Sequence, residues 1–358
     1  MRQNAKTLPG LVVHADWGSA PGKRWMTVAE LQGPRYTVDV PESVGELSTF
    51  FRRLLERAGG ARVVVGFDFP IGLPVAYAQR AGIGSFLEAL PQFGSGVWAR
   101  FYDVAEKAED ISIYRPFYPL RPGSTEHAHL LRGVGVDSID RLRRRCERSR
   151  PDRKAASPLF WTLGANQVGR AAIIGWRDVL APAARNNEPD VAFWPFQGEL
   201  PQLIEDHACV VAETYPAEAC LHLGLTPPGR GWKKGRQKDR AHHASTLLEW
   251  VGRRSIWLSP TAEMLLRDGF GPSADGEDRF DSFVGLASML EVLLGKRPDG
   301  APKDMMVQRI EGWILGQDNG AESEDEHSRP GKASRRDKSQ FSVVTRLESC
   351  VATRADRQ

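Results

Sequence analysis

The sequence predicts an α/β fold: a mixed sheet of three antiparallel strands followed by parallel strands, flanked by helices, with a long helical insertion in the middle. Three observations carry this. Three short apolar segments within residues 11–40 are separated only by Gly- and Pro-containing turns, which implies antiparallel pairing. A helical pattern then leads into a near-continuous apolar run, RVVVGFD (62–68), of the kind covered on both faces of a sheet. A second such run, ACVVAETYP (208–216), appears much later, and a strongly amphipathic pattern, EDRFDSFVGLASMLEVLLG (277–295), closes the legible part.

Taken in order, LVVHADW (11–17) reads as the first strand, GSAPGK as a turn, RWMTVAEL (24–31) as the second strand, QGP as a turn and RYTVDV (35–40) as the third. Pro41 and acidic residues open a helix over about 43–58, and Gly59-Gly60 ends it. A helix feeding a buried strand implies a crossover that returns parallel to an earlier strand. Residues 75–205 read as a mainly helical insertion: PLFWTLGANQVGRAAIIGWRDVLAP (158–182) has helical apolar spacing up to Pro182, and RLRRRCERSRPDRK (141–154) is a dense basic run. GRGWKKGRQKDRAHHASTLLEWV (229–251) reads as a basic, Gly-containing loop entering a helix. The expected organisation is one domain over 1–316, with its core in 11–74 and 208–295, followed by a polar, mixed-charge tail over 317–358 whose composition predicts disorder.

Composition narrows the function classes. The chain has 358 residues, 41% hydrophobic and 26% charged, as expected of a soluble globular protein with a sizeable core. Its 48 basic and 45 acidic residues leave a net charge of +3, so any nucleic-acid footprint has to be local. Cys146, Cys209, Cys220 and Cys350 form no C-x-x-C pair, which argues against a zinc ribbon or a thioredoxin-like motif. With no apolar leader and no membrane-length apolar run, the expected compartment is the cytoplasm, with no membrane partner.

The chemistry is concentrated in acids at element ends. Asp16 ends the first strand, Asp68 the fourth and Glu213 the late buried strand, while Asp278 and Asp281 fall in the first turn of the C-terminal helix. If those strands are neighbours, their carboxyl ends form one edge, where open α/β sheets bind ligands. Gathered carboxylates repel, and a hard cation such as Mg²⁺ (or Mn²⁺) relieves them through oxygen coordination. Asp281, Gly285 and Ser288 share a helix face, and small residues there allow a close approach to the sheet. Each acid also has a local reading: Asp16 as a turn residue, Asp278 as an N-cap, Asp281 as a dipole partner, Glu213 in a strand-end salt bridge.

HADWGS, GFDFPIGLP, AETYPAEACLHLGL and GEDRFDSFVGLASML together resemble the predicted RNase-H-like nucleases numbered 429 among the domains of unknown function. The similarity spans roughly residues 10–295. It implies a ribonuclease H-like fold and metal-dependent phosphodiester hydrolysis of RNA or DNA. Asp16, Asp68 and Asp281 would hold two metal ions, with Glu213 and Asp278 as further ligands. Two such ions, about 3.5–4 Å apart, clamp the scissile phosphate in two-metal sites. The helix glutamate of that superfamily has no marked counterpart among Glu42, Glu46 and Glu56. Lys233, Lys234, Arg236, Lys238 and Arg240 would contact phosphates, the 141–154 run would extend the track, and His242 or His243 would assist proton transfer, the alternative for each being a solvated surface. Two rivals stay open. One is an ATP-dependent phosphotransferase of the actin and sugar-kinase type, suggested by Asp16-Trp17-Gly18-Ser19 before a hairpin but lacking a duplicated sheet; the other is an inactive nucleic-acid-binding protein of the same fold.

Overall fold

The computed structural model describes residues 8–164, 168–186, 190–226 and 231–319, so the expected tail over 317–358 lies almost wholly outside the described residues. Eight strands build one mixed sheet: β1 (Leu11–Trp17), β2 (Arg24–Gln32), β3 (Arg35–Val38), β4 (Glu42–Ser43), β5 (Val63–Phe67), β6 (Val191–Phe193), β7 (Cys209–Glu213) and β8 (Trp257–Leu258). Their order is β6-β7-β5-β1-β2-β3-β8, with β4 added alongside β2. β1, β2 and β3 pair antiparallel; β5 runs parallel to β1, β7 to β5, β6 to β7 and β8 to β3.

The apolar runs of β1, β5 and β7 are continuous because each strand is covered on both faces. Alternate residues go to opposite cores. Val13, Ala15, Val65, Phe67 and Val211 face helix Phe50–Ala58 and the segment between β5 and β6. Val12, Val64, Val210 and Ala212 face the C-terminal helices. Among these, helix Gly276–Leu293 lies directly on the sheet. The amphipathic pattern expected of it is not what the fold uses: every residue from Phe280 to Leu293 is buried, because helix Pro216–His222 and helix Ala244–Arg253 close over its outer side.

Gly285 sets how close that helix comes. A Cβ there would sit 2.2 Å from the His14 ring on β1. One turn earlier, Ser282 accepts from His14 Nδ1 (3.1 Å) and shares a hydrogen bond with Thr27 of β2 (2.7 Å). Of the small face expected at Asp281, Gly285 and Ser288, Gly285 meets β1, whereas the Ser288 hydroxyl bonds His222 of helix Pro216–His222.

Several boundaries differ from expectation. The helix expected over 43–58 starts at Phe50, because Glu42-Ser43 pairs with β2 and a short 3₁₀ turn, Leu47–Thr49, precedes it. Pro182 does not end its helix: a π-turn at Trp176–Leu180 absorbs the register before Ala181–Asn186 continues. The core also runs past residue 295. Ile314 bridges Glu213 at the end of β7, and Gln317 Nε2 donates to the Cys146 carbonyl at 3.2 Å. Gly285→Ala is expected to cost about 1–3 kcal/mol by overpacking against His14, read as a lowered urea midpoint with an unchanged m-value.

Candidate functional site at the carboxyl edge of the sheet

Register decides which acids meet. Ala15 pairs with Phe67 across β1 and β5, so Asp16 and Asp68, each one residue on, lie side by side and point to the same face. Asp68 N–H donates to the Ala15 carbonyl (3.1 Å), which holds the two strand ends together. Pro70, two residues later, has no N–H to extend the ladder, and the strand stops. Gly66 lies under Met289 on this same face, and Asp281 descends to it from the C-terminal helix. Asp16, Asp68 and Asp281 are therefore close enough for their charges to act on one another.

Glu213 is not part of this group. It pairs with Phe67, one residue out of phase with Asp68, so its side chain leaves the opposite face of the sheet. There it meets the fully buried Arg144, whose Nη2 donates to Oε1 (2.5 Å) and Nη1 to Oε2 (2.6 Å), and it accepts from Ile71 N–H (2.7 Å). The strand-end salt bridge is the reading that holds for Glu213, although its carboxylate still borders the same cleft. Asp278 is not an N-cap. It accepts from Lys23 Nζ (2.9 Å), which also donates to the Ala274 carbonyl (2.9 Å).

The basic residues divide in the same way. Lys234 Nζ donates to Asp281 Oδ2 and stands 3.9 Å from Glu277 Oε1. Arg240, expected on phosphate, is buried and spends its guanidinium on the carbonyls of Lys234, Gly269 and Gly271. Lys233, Arg236 and Lys238 are exposed. Within the 141–154 run, Arg141, Arg148 and Lys154 are exposed, but four of its arginines are spent on buried glutamates. Arg144 binds Glu147 and Glu213, Arg145 binds Glu311, and Arg150 and Arg153 bind Glu218. His243 stacks on Trp232 at 4.4 Å, and neither it nor His242 lines the cleft. Of the glutamates near the first helix, Glu42 pairs with Arg57 and Glu46 caps the 3₁₀ turn.

The cleft at this edge has a volume of about 750 Å³. Asp68, Lys23, Lys234 and Asp278 line it beside Trp17, Ser19 and Tyr215; Asp16 and Asp281 are buried, 7% and 5% exposed. Lys23 and Thr214 were missed in the sequence. Lys23 sits in a turn that gave no signal, and Thr214 is the β7 residue in register with Asp68, visible only once strand pairing is known.

Loss of water raises all three acids above the ordinary carboxylate range. For Asp16 the charges of Asp281 and Asp68 raise it further, while Lys234 opposes them. Asp68 reaches about 8, pushed first by burial, then by Asp281. Asp281 is raised by burial and drawn back by Lys234. His14 offers no compensating charge, since burial lowers it to about 3 and keeps it neutral. Among the described residues, one ammonium thus faces the three acids, and Asp281 Oδ1 is buried with no hydrogen-bond partner. Hard oxygen donors with an unsatisfied lone pair suit Mg²⁺ or Mn²⁺. Among the described residues, no group of three or more His, Cys, Asp or Glu side chains is placed so that it could hold a metal ion.

No family model, no curated protein and no solved structure matches this chain. The reading of the site therefore rests on its own residues.

Two outcomes are expected. Arg144→Met leaves Glu213 and Glu147 buried without their cation and should cost about 3–5 kcal/mol in chemical denaturation. Asp68 binds its proton more tightly folded than unfolded, so metal-free stability falls as pH rises from about 4 to about 8 and then levels. Asp68→Asn should reduce that fall to the part due to Asp16 and Asp281, and its melting temperature should gain on the wild type's across this window when chelator-treated protein is heated at several pH values.

Proposed function

We propose that this edge hydrolyses phosphodiester bonds of nucleic acid with a divalent cation, Mg²⁺ or Mn²⁺, held by Asp16, Asp68 and Asp281. The observation that carries the proposal is the convergence of three desolvated carboxylates on one ammonium, with one carboxylate oxygen left unpaired. A fold without a ligand has no use for that repulsion. The strand order supports a ribonuclease H-like reading of the sheet: β1 is central, with antiparallel β2 and β3 on one side and parallel β5 and β7 on the other.

In this reading Asp16 and Asp68 are fixed by the β1–β5 register and Asp281 by the helix–sheet contact at Gly285, so the donor atoms need little rearrangement. Asp16, Asp68 and Asp281 would hold a divalent cation there, which would lower the pKa of a water and neutralise charge developing on the phosphate. Lys23, half-exposed at the rim of the cleft, orients a phosphate oxygen through charge-assisted hydrogen bonds. Exposed Lys233, Arg236 and Lys238 follow the backbone of the bound strand beyond the cleft, as sequence-independent phosphate contacts do. Asp278 borders the cleft and keeps Lys23 in place. Glu213 takes no part in holding the cation, since Arg144 occupies both of its oxygens.

The test is cleavage of end-labelled RNA, DNA and branched substrates by purified protein with Mg²⁺ or Mn²⁺. Asp16→Asn and Asp68→Asn should each bring cleavage to background while leaving circular dichroism unchanged. Full activity in both variants would remove these residues from the site. ATP turnover without any cleavage would transfer the site to the phosphotransferase reading.

A further inference from the structure

Lys234 is the odd member of the cleft. Its charge lies where the cation of the proposed reaction belongs, yet it comes from a loop and not from the sheet or the long helix. Its backbone is fixed: Arg240 holds its carbonyl, Lys233 N–H donates to Asp239 Oδ2 (2.8 Å), and Arg236 N–H donates to the Lys233 carbonyl (3.0 Å). Its side chain is tied at the ammonium alone, to Asp281. Four rotatable bonds lead to an ammonium that bonds Asp281 on one side, stands 3.9 Å from the half-exposed Glu277 on the other, and borders the cleft. A lysine head can therefore change partners without any movement of the loop.

We propose that Lys234 is a displaceable counter-ion that couples the two ligands of the site: its ammonium fills the carboxylate cluster until the phosphate of a bound nucleic acid draws it into the cleft and frees Asp281 for the divalent cation. This rests on the hydrolytic reading above. A single positive charge would under-compensate three ionised carboxylates, whereas a divalent cation comes closer to balance, and the released ammonium finds a new anion in the phosphate. Metal and substrate each remove an obstacle to the other. By linkage, the factor by which the nucleic acid tightens metal binding equals the factor by which metal tightens nucleic-acid binding. Without substrate, the carboxylates stay neutralised from within and bind metal weakly.

The experiment is calorimetric titration of the full chain with Mn²⁺, alone and with a short nuclease-resistant phosphorothioate oligonucleotide, using its uncharged methylphosphonate counterpart as control. For the wild type, the charged oligonucleotide should tighten Mn²⁺ binding about tenfold, within the range usual for coupled sites, and the uncharged one should not. Lys234→Met should bind Mn²⁺ about as tightly without oligonucleotide as the wild type does with it, and the charged oligonucleotide should add nothing further. Equal or weaker Mn²⁺ binding by Lys234→Met, with Asp281→Asn abolishing it, overturns the displacement and leaves the metal site standing. Absence of Mn²⁺ binding to both proteins at millimolar concentration overturns the metal site itself, and the displacement with it. If Lys234→Met is unfolded without metal, recovery of a cooperative melt on adding Mn²⁺ supports the proposal. Failure to recover, while Lys234→Arg folds and binds Mn²⁺ like the wild type, overturns it.

Discussion

Four stretches of chain converge on the guanidinium of Arg144. Its donors reach Glu147 in its own turn, the Ile71 carbonyl after β5, both oxygens of Glu213 at the end of β7, and the Glu311 carbonyl near the C-terminal end of the described chain. An arginine buried this completely is tolerable only because each donor has an oxygen and the charge has two carboxylates. Gly72 makes the arrangement possible: it holds a positive φ, and a Cβ there would lie 2.1 Å from the Glu311 carbonyl oxygen. The loop that leaves Asp68 is thereby clamped from below, and the ends of β5 and β7 stand still while the opposite face carries the cleft.

The two faces of the sheet edge have divided the acids between them. Odd and even positions on neighbouring strands lead to different fates for residues that look alike in sequence. Asp68 and Glu213 both end buried strands, but one residue of phase gives the first to the cleft and the second to Arg144. The same division explains the basic run at 141–154, whose arginines turn inward to carboxylates at positions 213, 218 and 311. Its local charge density looked like a surface; Arg141 and Arg143 do pair locally, with Asp137 and Asp140, but Arg144, Arg145 and Arg150 also reach carboxylates 69, 166 and 68 residues away in the chain.

What was legible in the sequence follows from which signals are local. β1, β2, β3, β5 and β7 announced themselves by apolar runs and turn residues, and the long helix by its length and its small face. β4, β6 and β8 have two or three residues each, too few for any period to show, and exist only because a neighbouring strand offers a free edge. The cluster of Asp16, Asp68 and Asp281 could be read because strand ends and helix starts are visible positions. Its counter-charge could not: nothing near Lys234 separates it from Lys233 or Lys238, and only the meeting of the loop with the C-terminal helix selects it. Arg240 is the converse case, a cation that looked available and is consumed by three backbone carbonyls.

The threading of residues 311–317 past the end of β7 also bears on synthesis. Leu315 N–H donates to the Glu213 carbonyl and Trp313 Nε1 to the Gln317 carbonyl, so the clamp around Arg144 closes only when this segment has arrived. A chain that emerges from its N-terminus forms the β1–β2–β3 meander early, from local contacts. Asp16 and Asp68 are then in place 166 residues before Lys234 is made and 213 before Asp281, counted from Asp68. During that interval the edge that will become the cleft has neither its lid of helix nor its internal cation. Nascent protein of this design is open to misassembly at the sheet edge where Asp16 and Asp68 stand.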